Sequence, residues 1–235
     1  EFETDLNIKK TKIKNQKLFK SNFPLTKDYI DLKNHNLNIK YKNKKLYLTG
    51  EGGIRLEEEF DNIQYFIIKK KDDFNLKSEV DLQNISFKNQ KIFKKFFPST
   101  RNLVNLKNHK IKINYKKNFI SFSGEGKIKI DNEYDKIDYF ISRERDETNF
   151  DINANLNKKD FQIDNINFKK NKNFITKLNI SGSFLPKEKL ILNNLSVLDK
   201  KNKIKITNLV FDKNNFLIEL NEADFNYIDK EKKEN

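Results

Sequence analysis

Cysteine and methionine are both absent from this 235-residue chain, and histidine occurs only twice. Without cysteine there are no disulfides, no thiolate metal ligands and no thiol nucleophile, and the redox compartment is left open. Position 1 is Glu rather than Met, so the chain is expected to be an internal piece of a longer polypeptide. No apolar run reaches the length that crosses a bilayer as a helix, about 18 residues, and no secretory leader is visible, so an anchor or leader is expected only outside this stretch. Apolar residues are scarce as well: 36% of the chain is hydrophobic and 35% is charged, thin for one globular core and better suited to an elongated sheet with one wet face. An ordered chain is nevertheless expected, because aromatic residues make up 12% and isoleucine recurs in regular patterns.

The charge is one-sided. A formal net charge of +14 could draw a polyanion. The lysines, however, alternate with apolar residues along the chain, as the solvent side of a strand does, so the charge reads as a solvated face and no nucleic-acid partner is expected.

What is present is a repeat. Lys14-Asn15-Gln16-Lys17 returns as Lys88-Asn89-Gln90-Lys91, and Leu32-Lys33-Asn34-His35 returns as Leu106-Lys107-Asn108-His109, always 74 residues on and without a gap. Gly50-Glu51-Gly52 answers Gly124-Glu125-Gly126, and Ile63, Tyr65, Phe66 and Ile67 answer Ile137, Tyr139, Phe140 and Ile141. Repeats of this kind bury their apolar faces on their neighbours, which moves the expected function from a pocket to a surface.

Strict alternation dominates both copies. Leu37, Ile39 and Tyr41, like Ile111, Ile113 and Tyr115, are separated by polar residues, the pattern of half-buried antiparallel strands. Polar steps at 42–45 and 116–118 turn each into a return strand, which continues through the Gly-Glu-Gly step to Ile54 and Leu56, or Ile128 and Ile130. One stretch breaks the alternation: Leu18, Phe19 and Phe23 before Pro24, and Ile92, Phe93, Phe96 and Phe97 before Pro98, predict a short amphipathic helix near 15–23 and another near 89–97. Two turns of helix do not persist alone, so the phenylalanines must pack on the sheet and cap or plug it. From Phe161 the insert is lost while alternation continues through Leu178-Ile180, Leu190-Leu192 and Ile204-Ile206. Residues 229–235 are nearly all polar and read as a loop. The organisation expected is a first β-repeat over 1–87, a second over 88–160 and a degenerate meander over 161–235, all within one continuous β body. The fold class is all-β, mainly an antiparallel meander forming an extended curved sheet or groove, with two short amphipathic helices, one per repeat.

Each candidate site has a plain structural explanation beside it. Gly50-Glu51-Gly52-Gly53 lacks the Lys-Ser/Thr ending and following helix of a phosphate loop, so the glycines are expected to bend or bulge a strand. His35 and His109 occupy equivalent places with no second ligand or serine nearby, which points to a structural hydrogen bond rather than metal or base chemistry. Glu57, Glu58, Glu59 and Asp61 answer Asp131, Asn132, Glu133 and Asp135, and read as a turn rather than a calcium loop. No nucleophile, base and orienting group converge, so no enzyme, cofactor or metal is expected. The apolar set would pack on a second sheet in a closed sandwich, or line a groove in an open, curved one.

The alternating meander, with short steps such as Ile180-Ser181-Gly182-Ser183 and Phe122-Ser123-Gly124-Glu125-Gly126, the hairpin from Lys110 to Ser123 and the Phe-Pro-ended helix before it, resembles the AsmA-like superfamily, in particular its large YhdP-type members of the bacterial envelope. That resemblance implies a periplasmic β-groove, anchored in the inner membrane by a segment not in this stretch, which binds phospholipid acyl chains and conducts lipid toward the outer membrane. On that reading Leu37, Ile39, Tyr41, Ile54 and Leu56, with Ile111, Ile113, Tyr115, Ile128 and Ile130, line the groove, and the partners are phospholipid, the membrane and possible envelope proteins. The alternative is a structural or adhesive β-repeat protein with a closed core and protein partners.

Overall fold

The computed structural model describes residues 1–89, 96–130, 133–157, 160–163, 167–170, 174–186, 188–214 and 216–227. Strand β1 (Phe2–Lys14) is followed by helix α1 (Lys17–Asn22) and by β2 (Tyr29–Lys42), β3 (Lys45–Arg55), β4 (Asp61–Lys70) and β5 (Asp73–Lys88). Next come β6 (Leu103–Lys116), β7 (Phe119–Lys129), β8 (Tyr134–Glu144) and β9 (Glu147–Leu156). Two short strands, β10 (Gln162–Ile163) and β11 (Phe168–Lys169), pair with each other, and β12 (Thr176–Leu185), β13 (Lys189–Leu198), β14 (Lys203–Asp212) and β15 (Leu217–Asn226) complete the chain. Apart from β10 and β11, the strands lie in sequence order in one antiparallel meander of 13 that does not close, β1 and β15 being its two ends. This is the all-β class expected from the alternation. Residues 90–95 of the second helix expected near 89–97, and the polar loop over 229–235, lie outside those described.

The turns explain why the meander can be tight with so little glycine. Among the described residues nine non-glycine residues have positive φ, six of them asparagine, and no glycine does. Asn43 and Lys44, at φ 52° and 59°, join β2 to β3 in the mirror-image turn that matches strand twist. Lys71, between β4 and β5, and its repeat partner Arg145, between β8 and β9, both take positive φ, so the turn is repeated along with the sequence.

The chain divides into two compact units: residues 1–88 with 105–126, and 89–104 with 127–235. The first has its buried cluster at one end of the strands, where Leu56, Leu82 and Ile85 are 7%, 6% and 2% exposed. Helix α1 closes that end: Phe19 and Phe23 stack with ring centres 4.5 Å apart and pack on the cluster with Ile30, Ile54 and Ile111. The excursion that carries α1 is clamped by Asn15, whose N–H donates to Asp28 O (2.8 Å) and whose Nδ2 donates to Lys27 O (2.8 Å) and Thr26 Oγ1 (3.0 Å). The second copy repeats two of these bonds at the equivalent positions, Asn89 N–H donating to Asn102 O (2.9 Å) and its Nδ2 to Arg101 O (2.9 Å).

The second unit buries Phe161, Phe168, Leu156, Val104, Ile204 and Val197 completely. Its aromatic side chains form a chain of ring contacts, Phe97 to Phe161 at 5.3 Å, Phe161 to Phe168 at 6.3 Å and Phe168 to Tyr227 at 5.4 Å. Where the sequence loses its helical insert, the β10–β11 hairpin brings Phe161 and Phe168 into the core instead. Lys170 is buried beside them with its ammonium donating to Asn157 O at 3.0 Å.

Candidate functional site

Strand register sorts the side chains of the first unit into two faces, because residues directly opposite each other project to the same side and successive residues alternate. One face is apolar. Ile39 pairs with Leu48, Leu48 with Ile67, and Ile67 with Leu76, and the next row is Leu6, Leu37, Gly50, Tyr65 and Ser78. The other face is polar: Asn38 pairs with Thr49, Thr49 with Phe66, and Phe66 with Lys77. The second unit shows the same division. Tyr139, Ile152, Ile180, Leu195 and Ile206 form one apolar row, while Asn153 donates to Asp138 (2.8 Å), Asn179 to Asn153 and Asn194 to Asn179 in an amide ladder on the opposite side.

The residues expected to line an apolar groove are distributed unevenly. Leu37, Ile39 and Tyr41 on β2 share the apolar face with Ile54 of β3, and Ile111, Ile113 and Tyr115 alternate in the same way on β6. Tyr41 and Tyr115 are 48% and 39% exposed, as are Phe2 (57%) and Leu6 (47%) on β1, and Phe74 meets Tyr115 at 5.8 Å. Leu56, by contrast, belongs to the helix-capped cluster, against which Ile54 and Ile111 also pack. Ile128 and Ile130 are each 3% exposed, and Ile130 lies in the core of the second unit. Within the first unit, among the described residues, α1 is the one element that packs against the apolar face from outside the sheet.

The Gly-Glu-Gly step works differently from the expected bulge. The irregularity is on β2, between Lys33 and Asn36, where Asn34 takes φ 52°. Gly52 stands opposite, and a Cβ there would lie 2.5 Å from the His35 ring and 2.8 Å from its Cα. The second copy repeats the device with Asn108 at φ 49° and Gly126 under His109, where a Cβ would lie 2.4 Å from Nδ1. The glycine therefore makes room for a buried histidine, and the asparagine on the neighbouring strand carries the bend. His35 donates through Nε2 to Gly53 O at 3.0 Å, which leaves Nδ1 to face the Tyr65 hydroxyl at 3.4 Å. Burial holds the His109 pKa below the ordinary histidine value and raises those of Tyr65 and Tyr139, so these side chains stay neutral around pH 7.

The acidic cluster is a repeated structural device as well. Asp61, 3% exposed, accepts from Gln83 N–H at 2.6 Å, and Asp135 accepts from Asn157 N–H at 2.8 Å, 74 residues on. Burial pushes the Asp61 carboxyl up to about 6, against the pull of that hydrogen bond. Glu57 accepts from Ser86 N–H at 2.7 Å and is raised by burial too. Asp31 goes the other way: the Arg55 guanidinium donates to it and holds it below the usual carboxylate range. Among the described residues no group of three or more acidic or histidine side chains could hold a metal ion.

A cleft of about 910 Å³ opens on the polar face of the first unit, a site that reading the strands one at a time does not reveal. On β7 it touches Ser121 and Ser123 but not Phe122 between them, and Lys112, which also borders it, pairs across to Glu79 at 3.4 Å. Its floor is the backbone of the row from Leu6 through Leu37, Gly50 and Tyr65 to Ser78, with Ile113 of β6 beyond it, and its walls are the polar side chains on either side. The signal in the sequence is the concentration of Asn, Gln, Ser and Thr between the apolar positions at strand centres, which acquires meaning only once seven strands are in register. Compared with protein-family models, curated proteins and solved structures, the chain shows no match.

Proposed function

We propose that the apolar face binds phospholipid acyl chains and that the chain is a non-catalytic segment of a lipid conduit in the bacterial envelope, held in the periplasm and tied to the inner membrane by a segment outside this stretch. The observation that carries this reading is the state of the apolar face in the first unit. Its rows run from strand to strand, it leaves Phe2, Leu6, Tyr41 and Tyr115 between 39% and 57% exposed, and α1 covers one end of it. Contiguous apolar surface of this kind marks a ligand or membrane contact.

The energetics suit passage better than storage. Each buried CH₂ contributes about 0.8 kcal/mol relative to water. A chain that moves from a bilayer onto an apolar face exchanges one apolar medium for another, so little net free energy holds it. The half-exposed tyrosines at the open end offer hydroxyls at the level where a headgroup would lie, and the helix-capped end stops the chain.

Binding of a fluorescent phospholipid to the purified, folded chain tests the proposal. Ile39→Asp and Ile113→Asp, which put a carboxylate on the apolar face, are expected to weaken binding at least about tenfold. Lys112→Asp, on the polar face, is expected to leave it unchanged. Absence of binding by the folded chain, or equal sensitivity on both faces, would refute the reading and leave a protein-binding β-repeat in its place.

A further inference from the structure

The cleft on the polar face is unrelated to acyl chains, and its shape and chemistry are specific enough to name a ligand class. We propose that it binds a linear, uncharged glycan laid across the strands of the first unit. The cleft crosses seven strands, β1 to β7, so it is roughly 29 Å long at about 4.8 Å per inter-strand gap. Its walls repeat at that spacing. A flat, β-linked sugar ribbon repeats ring by ring at nearly the same interval, whereas an extended peptide, at about 3.3 Å per residue, falls out of step after the second strand.

The wall chemistry selects the same ligand. Charges of both signs alternate, Asp5, Glu51 and Glu79 with Lys77 and Lys112, so neither a polyanion nor a polycation finds a complementary field. The remaining walls are amides and hydroxyls, which both donate and accept as sugar hydroxyls require, and Phe66 supplies an apolar platform for a ring face. At the β1–β2 end these groups satisfy one another, Asn7 donating to Asn36 at 2.6 Å and Asn38 to Asp5 at 3.0 Å. Further along, Asn114 Oδ1 is shut off from solvent and has no hydrogen-bond partner among the described residues. A sugar hydroxyl reaches it only when the Asn114 side chain turns toward the cleft, where its amide, like Thr49, Gln64 and the serines of β7, both donates and accepts. The glycan therefore engages the β3 to β7 portion most strongly.

The test is calorimetric titration of the whole chain with cellohexaose, a linear β-linked glucan, beside cellotriose and the helical α-linked maltohexaose. Binding of cellohexaose is expected with a dissociation constant on the order of 10–100 μM. Cellotriose, which reaches fewer strands, is expected to bind at least about tenfold more weakly. Asn114→Ala and Thr49→Val are each expected to weaken cellohexaose binding about three- to tenfold, while Ile67→Ala on the opposite face leaves it unchanged. Circular dichroism establishes that each variant is folded, and the pair of wall variants keeps the test decisive should one of them fail to fold. No binding of cellohexaose at millimolar concentration, equal binding of maltohexaose, or indifference to both wall substitutions would overturn the proposal, as would a preference for a sulfated polymer with steep salt dependence.

Discussion

At the scale of single residues, glycine and asparagine have exchanged their usual duties. Left-handed backbone falls to asparagines such as Asn34, Asn43 and Asn108, whereas the glycines at 50, 52 and 126 lie under the rings of Tyr65, His35 and His109. Gly52→Ala and Gly126→Ala are accordingly expected to cost about 2–4 kcal/mol each, because the new methyl meets a buried ring and the backbone beside it. Gly53→Ala, whose nearest contacts are Phe60 at 3.3 Å and Lys33 O at 3.4 Å, is expected to cost less than about 1 kcal/mol. Urea unfolding of the three variants checks the contrast. Asp61 gives a second residue-scale prediction. Its folded pKa, about 6, lies above the ordinary aspartate value, so the folded state holds the proton more tightly than the unfolded chain. Its contribution is fully present below about pH 4 and is lost as pH rises through 6. Asp61→Asn keeps an acceptor for Gln83 N–H, and is expected to flatten stability between pH 4 and 6 and to add about 2 kcal/mol at pH 7, read from denaturant midpoints across that range.

At the scale of elements, the helical excursion is the part most exposed to test. The six residues of α1 begin without a side-chain cap and are too few to hold a helix unaided, so the excursion depends on the Asn15 clamp and on two phenylalanines. Phe23→Ala is expected to destabilise the first unit by about 3 kcal/mol through the cavity it leaves beside Leu56 and Leu82, and Asn15→Ala by about 2 kcal/mol through its lost hydrogen bonds. Hydrogen exchange should show the loss concentrated in 15–28 and in the ends of β3 and β5 nearby. Strands, hairpins and this helix were legible in the sequence because each rests on local periodicity: alternate apolar residues on β2 and β6, helical spacing of Phe19 and Phe23, and a proline behind them. The bend on β2 was not, since Asn34 and Gly52 are 18 positions apart and only pairing shows which of the two carries it. For the same reason Leu56 and Ile130 read as groove residues, although the first sits under a helix and the second in a core. Alternation reports the side of a strand, not what covers it.

At the scale of the molecule, the governing feature is a sheet with two chemically opposite faces, repeated in both units. In the first, apolar rows with half-exposed aromatics back onto a polar face crossed by a cleft, and in the second an apolar row backs onto an asparagine ladder. On the two proposals neither face needs a catalytic group, since each would serve as a surface for an extended ligand. The absence of cysteine makes the most direct test simple, because any single cysteine introduced into the chain is unique. Cysteines placed one at a time from Ile111 to Lys116, along β6, and labelled with a polarity-sensitive fluorophore, would be read before and after addition of a monomeric lysophospholipid. The account predicts a blue shift on lipid addition at 113 and 115 and none at 112, 114 and 116, with 111, which packs on the helix-capped cluster, blue-shifted before lipid is added. A uniform response, or none at any position in a folded protein, would contradict an accessible apolar face that accepts lipid.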